Sequence, residues 1–186
     1  MSNILLNSLK EFYENPYNKQ KLFDIVNNTN NISLRIIDWF VTNYSKKNNT
    51  SFMIYHEKNG LKKLDLNNNI NSKQFNTYYS YKSQLKSYSK KRFDPFCRRD
   101  RIEFIIDNEK IISTLGQLNF FKWAINNLII DYIEKNYKEI ENDMNVCYNS
   151  IHKTKEKNIR KKRQEISKSA SRGLNTNIMK IVIDFN

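Results

Sequence analysis

Glycine, proline and cysteine are scarce in this 186-residue chain, which contains three, two and two of them respectively. So few glycines leave no room for a glycine-rich phosphate loop or for the glycine-flanked serine of a hydrolase. Cys97 and Cys147 stand alone, which excludes a disulfide framework and favours an intracellular, reducing setting. No apolar run approaches the roughly 18 residues of a membrane-spanning helix. Ile4–Leu6 is too short for a signal-peptide core.

Metal and catalytic motifs are lacking as well. Cys147 and His152 are not the closely spaced ligand pairs of a structural zinc site, so no metal and no cofactor are predicted. Four carboxylates beside Lys110 could hold Mg²⁺ as in a nuclease, namely Asp100, Glu103, Asp107 and Glu109. Carboxylates next to basic residues on a hairpin are usually surface ion pairs. We therefore predict a non-enzymatic protein and keep a metal-dependent nuclease as an alternative.

The net charge of +13 is concentrated in two short windows. Lys82–Arg101 contains eight basic and two acidic residues, and Lys153–Arg172 contains nine basic and two acidic residues. The rest of the chain holds equal numbers of both signs. A neutral body with two cationic patches is typical of a protein that binds a polyanion.

The first window interleaves aromatic residues with its lysines and arginines, as a surface for phosphates and unstacked bases requires. In the alternative interpretation, the aromatic rings fill the core and the lysine heads extend into water. The predicted nucleic-acid-binding residues of both windows are Lys82, Lys86, Lys90, Lys91, Arg92, Arg98, Arg99, Arg101, Lys157, Arg160, Lys161, Lys162 and Arg163, with Tyr81 and Tyr88 as stacking residues.

The second window is predicted to be a helix with one strongly basic side. Like charges four residues apart destabilise a helix by a few tenths of a kcal/mol each, and only sparse isoleucines offset this cost. We expect a polyanion to stabilise this helix, which would lie beside the first window. A nuclear-import signal at 160–163 and a merely solvated helix are the alternatives.

The predicted fold is α+β, a helix-dominated single domain with two short β-hairpins, a long central core helix and a basic C-terminal helix. Residues 1–150 are predicted to form the globular domain, and 151–186 a basic helix and terminal strand docked on it. The predicted helices cover 5–13, 20–27, 33–47, 117–142 and 147–171, the hairpins 51–66 and 101–114, and the last strand 179–185. Residues 72–101 show no clear periodicity.

Three segments resemble a small protein family of nucleocytoplasmic large DNA viruses: LRIIDWFVTNY at 34–44, FDPFCRR at 93–99 and GQLNFFKWA at 116–124. The resemblance covers approximately residues 32–132 and implies a setting but no catalytic residues, since the family has no established activity. The 29 asparagines, with abundant isoleucine and lysine, indicate an AT-rich genome, which is compatible with such a virus. The implied location is the host cytoplasm, the viral factory or the virion, with the nucleus as an alternative.

Together these observations predict a non-enzymatic protein that binds the backbone of nucleic acid, DNA in preference to RNA. The alternative is a structural or assembly protein of a virus particle whose basic surface meets acidic viral proteins. No predicted helix pairs a basic face with a large apolar one, so membrane insertion is not expected.

Overall fold

The computed structural model describes residues 2–27, 29, 32–57, 62–65, 72–96, 98–107 and 109–157, and of residues 2, 3 and 150–157 it describes the backbone. The helices are α1 Ser2–Glu14, α2 Pro16–Asn27, α3 Leu34–Trp39, a π-helical turn Phe40–Tyr44, α4 Ser45–Lys47, α5 Thr77–Arg92, α6 Leu115–Asn126, α7 Ile129–Lys135 and α8 Tyr137–Lys157. The strands are β1 Ser51–His56, β2 Lys62–Asp65, β3 Lys73–Asn76, β4 Ile102–Ile106 and β5 Glu109–Ser113. The chain divides into two units, residues 1–147 and 148–186. The predicted helix-dominated α+β class is confirmed.

Short polar side chains begin several of the helices. Ser33, Asn76 and Thr114 each accept a hydrogen bond from the backbone N–H three residues ahead, at the start of α3, α5 and α6. Asn15 accepts hydrogen bonds from two N–H groups at the start of α2, where Pro16 has no N–H of its own to satisfy. These caps fix where each helix enters the fold.

The predicted helix over 33–47 is helical throughout, but a π turn interrupts its middle. Thr42 Oγ1 and Ser45 Oγ donate to carbonyls four residues back, at 2.6 and 3.0 Å. Such side-chain bonds compete with the helical ladder and bend it. The turn buries Phe40, Val41 and Tyr44, so this segment forms one wall of the core.

Two antiparallel sheets lie between the helices. The predicted hairpins are confirmed: β1 pairs with β2, and Phe104 of β4 faces Ile111 of β5. A third strand, β3, adds to the other side of β1 with Phe52 opposite Phe75. Both β3 and α5 fall in the segment 72–101, which shows no clear apolar periodicity.

Helix α6 is the centre of the core, because it is buried on nearly all sides. Leu118, Phe120, Phe121 and Ala124 have no exposed surface. The hydroxyl of Tyr13 on α1 donates to the Leu118 carbonyl at 2.9 Å.

The predicted continuous helix over 117–142 is divided into α6, α7 and the start of α8. An asparagine lies at each break. Asn127 Nδ2 donates to the Trp123 carbonyl at 2.8 Å, and Asn136 Nδ2 donates to the Tyr132 carbonyl at 2.9 Å. The backbone N–H of the same asparagine also donates to that carbonyl, at 3.2 and 3.1 Å, and the helix ends there. Past Lys157, the predicted basic helix and the strand over 179–185 lie outside the described residues.

Candidate nucleic-acid interface

The first basic window (residues 82–101) extends along α5, around a kink and onto the loop that leads into β4. Seven of its eight basic residues are exposed, namely Lys82, Lys86, Lys90, Lys91, Arg98, Arg99 and Arg101, and Arg92 is half-buried. The sequence therefore identified side chains that are mostly accessible to a ligand.

Ser89 interrupts α5 within this window. Its backbone has φ 58° and ψ 167°, a combination that L-residues rarely adopt and that costs on the order of 1–3 kcal/mol. The Lys91 N–H donates to Ser89 Oγ at 3.4 Å. Because the kink precedes Lys90 and Lys91, their backbone does not continue the first part of α5. The buried Phe93 follows directly after this short segment.

The loop after α5 is fixed to the first turns of α6 by buried amide side chains. Gln117 Nε2 donates to the Pro95 carbonyl at 2.8 Å, and Gln117 Oε1 accepts from Ser113 Oγ at 2.7 Å. Asn119 Nδ2 donates to the Arg92 carbonyl at 2.9 Å. We call these three hydrogen bonds the loop clamp, and they hold the backbone at Arg92 and Pro95, just before the loop arginines.

Close packing adds to the loop clamp. A side chain at Gly116 would lie 3.2 Å from the Lys91 carbonyl oxygen and 3.3 Å from the Phe93 nitrogen, so glycine allows this approach. Phe93 is 1% exposed and its ring centre lies 5.3 Å from that of Phe120 and 5.4 Å from that of Trp123. The segments 93–99 and 116–124, both singled out by the resemblance, thus contact each other.

Arg98 is an exposed cation of the window whose charge is partly compensated. Its Nε lies 4.0 Å from Asp94 Oδ2, and its guanidinium carbon lies 4.5 Å from the ring centre of Phe96. Asp38 of α3 is close to both charges: burial raises its pKa above the usual 3.8, Arg98 opposes this rise, and Asp94 adds to it. Arg98 is shared between two carboxylates, which makes it the least available of the exposed cations.

The two tyrosines predicted to stack on bases differ in accessibility. Tyr81 is 9% exposed, with its ring 6.0 Å from those of Phe93 and Trp123. Burial and the nearby Asp38 and Asp94 raise its pKa to about 12. A base cannot reach a ring in the core, so the prediction for Tyr81 is wrong. Tyr88 is 36% exposed and lies nearly parallel to Phe93 at 6.5 Å.

Tyr79 is an accessible ring that the sequence analysis did not single out. It is 69% exposed in the first turn of α5. Lys82 and Lys86 follow three and seven residues later, which places all three side chains on one face of the helix. Tyr78, Tyr81 and Leu85 are buried or half-buried and lie three or four positions apart, which leaves Tyr79 on the outer side of α5.

Ion pairs are more frequent outside this window than inside it. Outside it, the pairs include Lys19–Asp107, Lys21–Asp131, Lys21–Glu134, Lys47–Asp143, Lys63–Glu57 and Lys110–Glu103. Inside it, six cations form no ion pair with any described residue: Lys82, Lys86, Lys90, Lys91, Arg99 and Arg101. We call these six the open cations.

Two other expectations concern metals and membranes. Within residues that the structure describes, no three His, Cys, Asp or Glu side chains converge on a position for a metal ion. Glu103 and Asp107, part of the carboxylate set considered for Mg²⁺, form ion pairs with lysines instead. None of the described helices is long and apolar enough to cross a bilayer.

The second window lies almost wholly outside the description. Lys157 is the last residue of α8, and its side chain is not described. Arg160, Lys161, Lys162 and Arg163 lie outside the described residues. Their predicted position beside the first window stays a prediction.

The chain belongs to a family of unknown function, DUF7197, whose model matches residues 1–184. It is 43% identical over 154 residues to the uncharacterized protein L507 of Acanthamoeba polyphaga mimivirus, an alignment that covers 80% of this chain and 54% of that protein. The chain therefore spans about half the length of this relative. No solved structure matches the chain. The resemblance to a protein of large DNA viruses is confirmed by this relative.

Proposed function

For a member of this family with a relative in a large DNA virus, we propose a non-enzymatic role in binding nucleic acid through its phosphate backbone, DNA in preference to RNA. The observation that carries the proposal is the set of open cations on a surface that the core holds in place. Lysine and arginine contacts to phosphate provide affinity and orientation without reading sequence.

The loop clamp supports this role because it orders the loop before any ligand arrives. Binding then loses less conformational entropy than it would with a mobile loop. Tyr79 and Tyr88 offer exposed rings for an unpaired base, and stacking on an aromatic ring contributes about 1–3 kcal/mol per base. We therefore expect binding to both duplex and single-stranded DNA, with little sequence preference.

The test is the salt dependence of binding to a labelled DNA duplex, followed by fluorescence anisotropy. If six phosphates are neutralised, log K should fall against log salt with a slope of about −5. A slope near zero, or no binding at low salt, would refute the proposal.

A matched pair of variants locates the contact. Changing Lys90, Lys91 and Arg99 to Gln should make the slope shallower by about 3. The control changes Lys10, Lys73 and Lys138 to Gln, which are also exposed and form no ion pair with a described residue. The control has the same net charge, so equal losses in both variants would assign binding to overall charge instead of this surface.

The second candidate is a protein contact in particle assembly, with an acidic viral protein on the same cations. The observation that favours it is the outer face of the β4–β5 hairpin, where Ile105 and Ile112 are 59% and 60% exposed, close in sequence to Arg101. An apolar surface beside arginine is typical of protein interfaces. If self-association or partner binding persists after nuclease treatment, assembly is favoured, whereas nucleic acid that co-elutes and is lost at high salt favours the first proposal.

A further inference from the structure

A cleft of about 500 Å³ opens between the α1–α2 turn, strand β2 and the α6–α7 turn, and none of its lining residues belongs to the basic window. Its apolar lining includes Phe12, Leu64, Ile125 and Leu128. Its size falls in the range of sites for small organic molecules, about 300–1,000 Å³.

Leu128 in this lining has a strained backbone. Its φ of 55° and ψ of 27° lie in the left-handed region, which costs a residue with a β-carbon roughly 1–2 kcal/mol. Glycine or asparagine would relieve that strain at the end of α6, but neither would bring a large apolar side chain to this place. Leu128 is 5% exposed. The strained backbone therefore coincides with an apolar side chain in the lining of the cleft.

Lys62 is a partly desolvated cation at the edge of the same cleft. Its Nζ donates to the backbone carbonyl of Asn126 at 3.0 Å and to Asn126 Oδ1 at 2.6 Å. Desolvation lowers the pKa of Lys62. An ammonium has three N–H donors, so one remains, and no described carboxylate forms an ion pair with it. Two of the three donors of Lys62 cap the C-terminal end of α6 at Asn126. The third donor is available to an anion.

The other charges of the cleft leave a positive surplus. Lys63 is paired with Glu57 at 2.6 Å. Asp131 accepts from Lys21 at 3.1 Å and from Tyr17 at 3.4 Å. Lys135 is exposed and forms no ion pair with a described residue. Lys62 and Lys135 thus present two uncompensated positive charges beside an apolar wall.

We propose that this cleft binds a nucleotide, with the base against the apolar wall and the phosphate at Lys62 and Lys135. An uncharged apolar ligand would leave Lys62 desolvated without a counter-charge. An inorganic anion would leave the wall around Phe12 and Leu128 uncovered. The amides of Asn15, Asn18 and Asn126 also line the cleft, and each can both donate to and accept from the edge of a base.

Calorimetric titration of the full chain separates the parts of the ligand. AMP should bind at least about tenfold more tightly than adenosine or inorganic phosphate, because only AMP supplies both ends. Equal affinity for AMP and phosphate would overturn the proposal by showing purely electrostatic binding. Hexyl phosphate binding as tightly as AMP would overturn the assignment of a nucleotide.

Variants place the binding in the cleft. Lys62→Met keeps the aliphatic stem, removes the charge and should weaken AMP binding about tenfold, whereas Lys10→Met, remote in sequence and exposed, should leave it unchanged. Lys135→Met gives the same test at an exposed position where folding is not at risk. Unchanged binding in both cleft variants would refute the proposal.

The neutralised window described above distinguishes this inference from the proposed function. Replacing Lys90, Lys91 and Arg99 by Gln should leave AMP affinity unchanged, because these residues do not line the cleft. If AMP binding is lost in that variant, nucleotides bind at the basic window and the cleft proposal fails, whatever the result with DNA.

Discussion

The neutral body and the basic window of this protein differ in how many of their cations form ion pairs. In the body, Lys21 on α2 pairs with Asp131 on α7, and Lys47 on α4 pairs with Asp143 on α8. These pairs join elements that are far apart in sequence. In the window, the open cations join no described elements to each other.

The difference indicates which charges serve folding. Surface ion pairs contribute at most about 1 kcal/mol each, so the body pairs chiefly fix the positions of helices. The open cations instead repel one another and destabilise the compact state slightly. Four of them lie on α5, and Arg99 and Arg101 lie on the loop that follows it, so ordered backbone carries a surplus of charge that folding does not need.

The largest expected effect comes from breaking the loop clamp without removing a charge. Gln117→Ala leaves the buried Pro95 carbonyl and Ser113 hydroxyl without their partner, which should cost about 1–3 kcal/mol of unfolding free energy. DNA affinity should also fall, because the arginines are then less ordered before binding. Denaturant unfolding and anisotropy measure the two effects.

Gln74→Ala is the control for this change, since Gln74 is exposed on β3. It should shift stability by less than about 0.5 kcal/mol and leave affinity unchanged. If Gln117→Ala loses stability and retains full affinity, the clamp serves folding alone and pre-ordering of the loop has no part in binding.

A smaller effect is expected at Asp38, where the body meets the window. Its pKa is raised by burial, so the folded state holds a proton there more tightly than the unfolded state does. The stabilisation is present below the usual pKa of the carboxyl and is lost as pH rises through the folded-state value. Asp38→Asn should therefore raise the melting temperature at neutral pH, and the gain should vanish in acid.

The same substitution sharpens the comparison between the two regions. Asp38→Asn removes one of the two carboxylates near Arg98, so DNA affinity should rise slightly as Arg98 becomes more available. Glu14→Gln removes an equal charge from an exposed position on α1 and serves as the control. A lower melting temperature for Asp38→Asn at neutral pH would show that attraction to Arg98 outweighs the cost of burial.

The fold class, the hairpins and the helical segments other than α5 followed from apolar periodicity. The breaks at Asn127 and Asn136 did not, because an asparagine is compatible with a helix interior as well as with a helix end, and the backbone that follows it decides between them. Strand β3 was missed because Lys73–Asn76 has little apolar character. It forms a strand because its backbone pairs with the edge of β1 that β2 leaves open.

The basic residues of the candidate site could be predicted from the sequence, whereas its exposed aromatic residues could not. Exposure of the lysines and arginines follows from the cost of burying them. No comparable rule predicts the exposure of a tyrosine, because its side chain is suited both to a core and to a surface. Tyr81 and Tyr79 are two residues apart, and which of them faces the core depends on how α5 packs against Trp123. The loop clamp could not be predicted from the sequence either, because the partners of Gln117 lie on β5 and in the loop after α5.

The smallest expected effect on stability concerns the second window. Charge reversal of Arg160, Lys161, Lys162 and Arg163 to Glu should weaken DNA binding and make the salt slope shallower. The melting temperature should stay within a few degrees, because solvated cations do not hold a fold together. A control that reverses Lys10, Lys46, Lys73 and Lys138 has the same net charge, and an equal loss of affinity would show that total charge, not this segment, drives binding. If the melting temperature collapses, these four residues are structural ion-pair partners and the tail does not act as a second binding patch.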